Sequence, residues 1–219
     1  IGEVARAGQQ FQYYGAECLR MAGEKIPSTR PGFQVEITRE PIGIIGIISP
    51  WNFPIAIPAW KAAPALMCGN AVILKPASLT PASAIALTEI IDKQDLPAGL
   101  FNLIIGSGSG IGNQIATNPD IPAITFTGSV DVGKTLYADA SPLLKKMQME
   151  MGSKNPLVVL DDADLSTAIS CAANGAYGGT GQKCTASSRI IVQEGIYNKF
   201  IKGLTEHISK IKVGHALEE

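Results

Sequence analysis

Between residues 33 and 160 the apolar positions fall into short aliphatic runs separated by longer stretches with helical spacing. Phe33-Gln-Val-Glu-Ile37 alternates, as a strand with one covered face does. Ile42-Gly-Ile-Ile-Gly-Ile-Ile48 is continuous, and Ala71–Lys75, Phe101–Ile105, Ala123–Thr127 and Lys146–Glu150 read as further strands. A continuous run of β-branched residues suits a strand buried on both faces. The spacing predicts helices over 3–24 (Val4, Phe11, Tyr14, Leu19, Met21), 57–67, 111–117 and 133–140. Pro50 and Pro54 break the chain ahead of the second of these. Thr80 as N-cap and Pro81 at the first helical position open another helix, which runs to about Lys93. Beyond a domain change near 151–156 the order repeats: strand Leu157–Leu160, helix Leu165–Ala176, strand Arg189–Val192, helix Ile196–Ile211.

Strands alternating with helices of this length imply right-handed βαβ units and a parallel sheet, so the fold class is α/β with a Rossmann-type sheet. Such sheets bind nucleotides at the carboxyl ends of their strands. The chain has neither internal repeats nor low-complexity tracts.

Composition narrows the picture. The 219 residues are 46% hydrophobic and 17% charged, enough for a sizeable core and one or two domains. A formal net charge of −1 gives no basic balance for nucleic acid or an anionic membrane. No apolar run approaches the roughly 18 residues needed to span a bilayer, and no basic-plus-apolar leader opens the chain. The four cysteines (Cys18, Cys68, Cys171, Cys184) show no metal-ligand pair and read as cytosolic thiols. The chain starts at Ile1 without Met and stops just after a helical pattern, which reads as a fragment of a longer protein.

Four segments carry candidate chemistry. Cys184 follows Gly178-Gly-Thr-Gly-Gln-Lys183, a polar stretch too glycine-rich for a helix interior. A helix beginning just after it, together with Lys183, would favour the reactive thiolate. Cys18, Cys68 and Cys171 lie in helical, apolar surroundings and read as small buried hydrophobes. Glu150 sits at a strand end beside Gly152, where a carboxylate can activate water, although a strand-end Glu is more often merely solvated. Asn52 stands in Ile48-Ser-Pro-Trp-Asn-Phe-Pro54, where a fixed carboxamide can serve an oxyanion or simply hold a turn.

The fourth candidate is a pair of glycine-rich turns, Gly106-Ser-Gly-Ser-Gly-Ile-Gly112 and Phe126-Thr-Gly-Ser-Val-Asp-Val-Gly133. The first misses the G-x-G-x-x-G dinucleotide fingerprint. The second continues as Gly128-Ser-Val-Asp-Val-Gly-Lys-Thr135, which fits the G-x-x-x-x-G-K-T of a P-loop, with Asp161-Asp162 as its sole Walker-B candidate. A P-loop nucleotide hydrolase is therefore a second reading of the residues.

Taken in order, Pro50-Trp-Asn-Phe-Pro54, Leu74-Lys-Pro-Ala77, Phe126-Thr-Gly-Ser129, Glu150-Met-Gly152 and Gly181-Gln-Lys-Cys184 resemble the aldehyde dehydrogenase superfamily. The P-loop match is then a coincidence, and a non-catalytic family member becomes the third reading. The resemblance implies that Cys184 attacks the aldehyde carbon to give a thiohemiacetal and then a thioester. It implies that Asn52 and the Cys184 N–H stabilise the oxyanion, and that Glu150 activates the water of deacylation. For the cofactor, NAD or NADP, it implies Lys75 at the adenosine ribose, Gly128 and Ser129 under the pyrophosphate, and Ile48, Trp51, Gly108, Val132 and Met151 along the dinucleotide.

Two departures bear on this. Many NAD-preferring members have Glu where Ser78 stands. Ser accepts a 2′-phosphate that Glu would repel, so NADP use is predicted, with a slight preference for it. Ser153 stands where a second Gly is common, and its small side chain predicts little effect. The closer likeness is to α-ketoglutaric semialdehyde (2,5-dioxopentanoate) dehydrogenases, through Phe33–Pro41, Glu150–Pro156 and Gly179–Arg189. The resemblance also divides the chain into a partial cofactor domain (1–22 and 42–152), an oligomerisation hairpin (23–41) and the beginning of a catalytic domain (153–219). It implies a cytoplasmic homodimer or homotetramer acting on a small aldehyde.

Overall fold

The structure, a computed structural model, describes residues 2–215. The ends of the expected domain bounds, at residues 1 and 219, lie outside them. The described residues form two compact units, divided between Met151 and Gly152.

In the first unit, α1 (Gly2–Glu17) precedes a hairpin of β1 (Glu24–Pro27) and β2 (Gln34–Ile37). Then follow β3 (Ile44–Ile48), α2 (Ala56–Met67), β4 (Ala71–Lys75), α3 (Pro81–Asp92), β5 (Phe101–Leu103), α4 (Asn113–Thr117), β6 (Ala123–Gly128), α5 (Val130–Ala140) and β7 (Lys146–Met151). The last five strands make one parallel sheet in the order β5-β4-β3-β6-β7. The chain thus starts at the middle strand, winds outward through β4 and β5, and returns on the other side of β3. That reversal leaves a crevice between the carboxyl ends of β3 and β6.

Both faces of β3 are covered, which explains its unbroken apolar run. Ile45 and Ile47 pack with Ala62, Val72, Leu74 and Ala84. Ile48 joins Ile115, Ile124, Phe126 and Leu136 on the opposite side. The strand begins at Ile44 rather than at Ile42, because a side chain captures the first two donors. Asn70 Oδ1 accepts the N–H groups of Ile42 (2.6 Å) and Gly43 (3.0 Å).

The first helix is shorter than its pattern predicts. It ends at Glu17 and tightens into a 3₁₀ turn, Cys18–Arg20. Gly23 then passes so close beneath the Ile37 carbonyl that a side chain would collide, and the ladder Glu24↔Ile37 to Pro27↔Gln34 takes over. Every residue of β1 and β2 is exposed.

In the second unit, β8 (Pro156–Val159) pairs in parallel with β9 (Arg189–Val192), and α6 (Leu165–Tyr177) and α7 (Glu194–Ile208) pack against them. Phe200 is fully buried, in a cluster with Val159, Ala172, Ala173, Ile196 and Leu204. Asp164 caps α6 by accepting the Thr167 N–H at 2.8 Å, and the hydrogen bonds from Thr167 hold its carboxyl below the ordinary carboxylate range. α7 stops three residues before the predicted Ile211, since Leu204 is its last buried side chain.

Candidate active site

Strand register brings four of the cofactor candidates, Ile48, Lys75, Gly128 and Met151, to the carboxyl edge of the sheet. Ile48 ends β3 opposite Lys75, which ends β4, and Ile48 also lies opposite Phe126 on β6. Gly128 and Met151 are partners at the ends of β6 and β7. Lys75 is buried, its ammonium donating to the Pro76 carbonyl at 3.0 Å, and burial pushes its pKa below the ordinary lysine value. Ser78 is exposed just beyond, with its hydroxyl on the Gly106 carbonyl at 3.2 Å. Gly108, itself exposed, opens a π-helical turn, Gly108–Gly112, so the helix predicted from Ile111 begins only at Asn113. Trp51 is exposed and Asn52 half-buried in the segment between β3 and α2.

The P-loop reading fails on geometry. A P-loop wraps its glycines around phosphate before the helix begins. Here α5 starts at Val130, capped by Ser129 Oγ, which accepts the Val132 N–H at 3.4 Å. The predicted start at Gly133 is three residues late because the cap precedes it. Gly133 therefore lies inside the helix. A Cβ there would sit 3.1 Å from Met151 Cγ and 3.2 Å from Phe126 Cε1. It is a close-packing glycine, and Lys134 is exposed on the helix.

Glu150 belongs to a polar ladder set by the two-residue period of strands. Thr125 faces Gln148 and Thr127 faces Glu150 across β6 and β7. The Thr127 hydroxyl lies 3.5 Å from Glu150 Oε2. Into this ladder reaches Lys61 of α2, which donates to Thr125 Oγ1 (2.7 Å) and Gln148 Oε1 (2.9 Å). Burial lowers its pKa to about 8, and the nearby Glu150 charge partly opposes that shift. Trp60, Lys61, Pro64, Thr125, Gln148 and Glu150 line one open cavity of about 330 Å³. Lys61 was not among the predicted site residues, yet it is the single charge in the otherwise apolar run Ala56–Met67. That signal was available in the sequence.

Cys184 lies in the second unit, half-buried. No helix begins after it: Lys183 to Ala186 form a turn closed by the Ala186 N–H on the Lys183 carbonyl at 3.1 Å, and β9 follows at Arg189. The predicted helix fails because Ser187 and Ser188 give their N–H groups to Gly175 and Asn155 instead (both 3.0 Å). The approach to the turn is left-handed at Gly179, Thr180 and Gly181. Gly181 is required twice over, by its φ of +70° and by the Ala176 carbonyl, 2.8 Å from where a Cβ would stand. Lys183 folds back, its ammonium 3.1 Å from the Cβ position of Gly178. The other cysteines depart from the buried-hydrophobe expectation, since Cys18 and Cys171 are exposed and Cys68 is half-buried. Cys171 stands on the outward side of α6, Cys18 opens the 3₁₀ turn after α1, and Cys68 lies just past the end of α2.

The profile of the aldehyde dehydrogenase family matches residues 1–219. The chain belongs to the aldehyde dehydrogenase family. It is 46% identical to the α-ketoglutaric semialdehyde dehydrogenase of Bacillus subtilis, over all of this chain and 45% of that one. It is 40% identical to the 2,5-dioxopentanoate dehydrogenase of Saccharolobus solfataricus, over 99% of this chain and 46% of that one. The crystal structure of betaine aldehyde dehydrogenase from Staphylococcus aureus in complex with NAD+ superposes with a TM-score of 0.96 at 35% identity, over 99% of this chain and 43% of that one. The chain therefore spans a little under half the length of the relatives it matches. In this aldehyde dehydrogenase chain, Asn52 and Glu150 belong to the first unit and Cys184 to the second.

Proposed function

We propose that the whole protein oxidises an aldehyde to a carboxylic acid with NAD or NADP, and that its substrate is a semialdehyde of the α-ketoglutaric type. The observation that carries this reading is Cys184 on a glycine-anchored turn, in a chain matched from end to end by the aldehyde dehydrogenase family. Support for the substrate class comes from the relatives, two of which are named for that semialdehyde.

Cys184 supplies the thiolate that adds to the aldehyde carbon, and its proton leaves to solvent. Asn52 and the Cys184 N–H stabilise the oxyanion that forms. A nicotinamide, when bound, accepts the hydride. Cys184 is left as a thioester, and Glu150 draws a proton from the water that hydrolyses it. The residues at the sheet edge fit a dinucleotide. Lys75 ends β4, Gly128 ends β6, and Ser129 caps the 11-residue α5, whose N-terminal amides suit a pyrophosphate. Ile48, Trp51, Gly108, Val132 and Met151 complete the surface. Ser78 carries no charge to repel a 2′-phosphate, which supports NADP use and a slight preference for it.

In this reading residues 1–22 and 42–152 hold the cofactor, and 153–219 begin the catalytic domain. The exposed hairpin within 23–41 joins subunits of a homodimer or homotetramer. The free cysteines suit the cytoplasm. The test is NAD(P)H formation by the full-length protein on an aldehyde panel that includes α-ketoglutaric semialdehyde. Cys184→Ala is expected to abolish it, and Glu150→Gln to give a single burst with little turnover. Undiminished oxidation by Cys184→Ala would overturn the mechanism.

A further inference from the structure

The side chain of Asn155 reaches the turn that carries Cys184. Asn155, just before β8, donates its amide N–H groups to the Cys184 carbonyl at 2.7 Å and to the Ala186 carbonyl at 3.1 Å. Its amide oxygen accepts the Ser153 hydroxyl at 2.8 Å. Its backbone carbonyl accepts the N–H groups of Ser188 (3.0 Å) and Arg189 (3.3 Å). The Arg189 guanidinium returns to the Lys154 carbonyl at 2.6 and 3.2 Å.

The hydrogen bond to the Cys184 carbonyl has a specific consequence. In a four-residue turn the central peptide is the one free to flip, and that flip separates type I from type II. In the turn Lys183–Ala186 the central peptide is Cys184–Thr185. The preceding peptide is already held by the Ala186 N–H on the Lys183 carbonyl, 3.1 Å. Because the peptides are trans, the Cys184 N–H points away from that carbonyl and out of the turn. Only the Asn155 amide holds the second peptide among the contacts described. The amide itself has one orientation: reversed, its oxygen would meet two carbonyl oxygens and its NH₂ would replace the acceptor of the Ser153 hydroxyl.

We propose that Asn155, oriented by Ser153, is a positioning residue for the nucleophile, locking the Cys184–Thr185 peptide so that the thiol occupies one backbone geometry. The proposal rests on reading Cys184 as the nucleophile. It also gives Ser153 a task beyond its small size.

The full-length protein tests it through the pre-steady-state burst of NAD(P)H, which reports acylation. Asn155→Asp keeps the shape but removes both donors. It is expected to slow the burst about 10- to 100-fold, since small misplacements of a reacting group have effects of that order. The KM for the coenzyme should stay within about twofold, because none of the coenzyme contacts proposed above involves Asn155. A merely structural role would instead lower the unfolding midpoint and all kinetic constants together. Ser153→Ala should give a smaller loss, and no further loss on the Asn155→Asp background, since Ser153 acts through Asn155. A wild-type burst rate in Asn155→Asp, with none in Cys184→Ala, overturns the positioning role and leaves the nucleophile standing. A burst surviving in Cys184→Ala overturns both. If Asn155→Asp does not fold, a wild-type burst in Ser153→Ala overturns the relay.

Discussion

Lys61 and Glu150 line the same cavity, one reaching up from α2 and the other standing on β7, with Thr125 and Gln148 hydrogen-bonded to the lysine. Their opposite charges attract, yet burial dominates at the lysine and lowers its pKa from 10.5 to about 8. Between those two values the folded protein holds Lys61 neutral while the unfolded chain holds it charged. The unfolded state then binds more protons, so stability rises with pH across that window and is flat on either side. Lys61→Met removes the group. The gain in unfolding free energy between pH 7.5 and 10 is expected to be on the order of 2 kcal/mol smaller than in wild type, measured by chemical denaturation. Equal gains would show that burial does not penalise the charge.

A second prediction concerns the helix that carries Lys61. The residue before α2 is Ile55, which has no side-chain cap to offer. Glu3 of α1 supplies one, its Oε1 accepting the N–H groups of Ile55 (2.7 Å) and Ala56 (2.9 Å). Glu3→Ala is expected to destabilise the protein by about 1–2 kcal/mol, the usual effect of losing a cap. Glu3→Gln, which keeps an acceptor oxygen, should cost less. An unchanged unfolding midpoint for Glu3→Ala would remove the cap from the account.

Ser78 lies beyond the end of β4 with its hydroxyl on the Gly106 carbonyl. Placing a carboxylate there sets a negative charge against any 2′-phosphate. In the full-length protein Ser78→Glu is expected to raise the KM for NADP at least tenfold while changing that for NAD little. Equal effects on both coenzymes would place the 2′-phosphate elsewhere.

Gly133 and Lys134, both inside α5, distinguish the packed helix from a phosphate-binding loop. Gly133→Val should destabilise the protein by about 1–3 kcal/mol through overpacking against Met151 and Phe126. Lys134→Ala, on the exposed side of α5, should leave the NADP KM unchanged. ATP binding lost in Lys134→Ala would revive the hydrolase.

How far the sequence could be read differs between elements. The β3 and β4 runs were legible because a central parallel strand is covered on both faces, β6 was legible from its β-branched residues although Thr125 and Thr127 serve the polar ladder, and β9 matched its predicted ends residue for residue. The start of α5 was less legible because its cap, Ser129, precedes the first buried position, whereas the start of α2 was read to within one residue although its cap, Glu3, lies more than fifty residues away. Lys61 was visible as an isolated charge in an apolar run, but its partners came from β6 and β7, which sequence spacing does not connect. The β1 strand, Glu24–Pro27, has no apolar alternation to announce it, and only the family resemblance suggested a hairpin there.

Residue identity alone determined the α/β alternation, the family motifs and the candidates Cys184, Glu150 and Asn52, because hydrophobic period and motif spacing are properties of the chain. Tertiary structure decided that Gly133 packs inside a helix, that Lys61 is buried among Thr125, Gln148 and Glu150, and that the Asn155 amide, held from behind by the Ser153 hydroxyl, reaches the carbonyls of the Cys184 turn. Each of these depends on hydrogen bonds or contacts between residues distant in sequence. Such contacts exist only once strand register and helix packing have brought the partners together, so no local pattern specifies them.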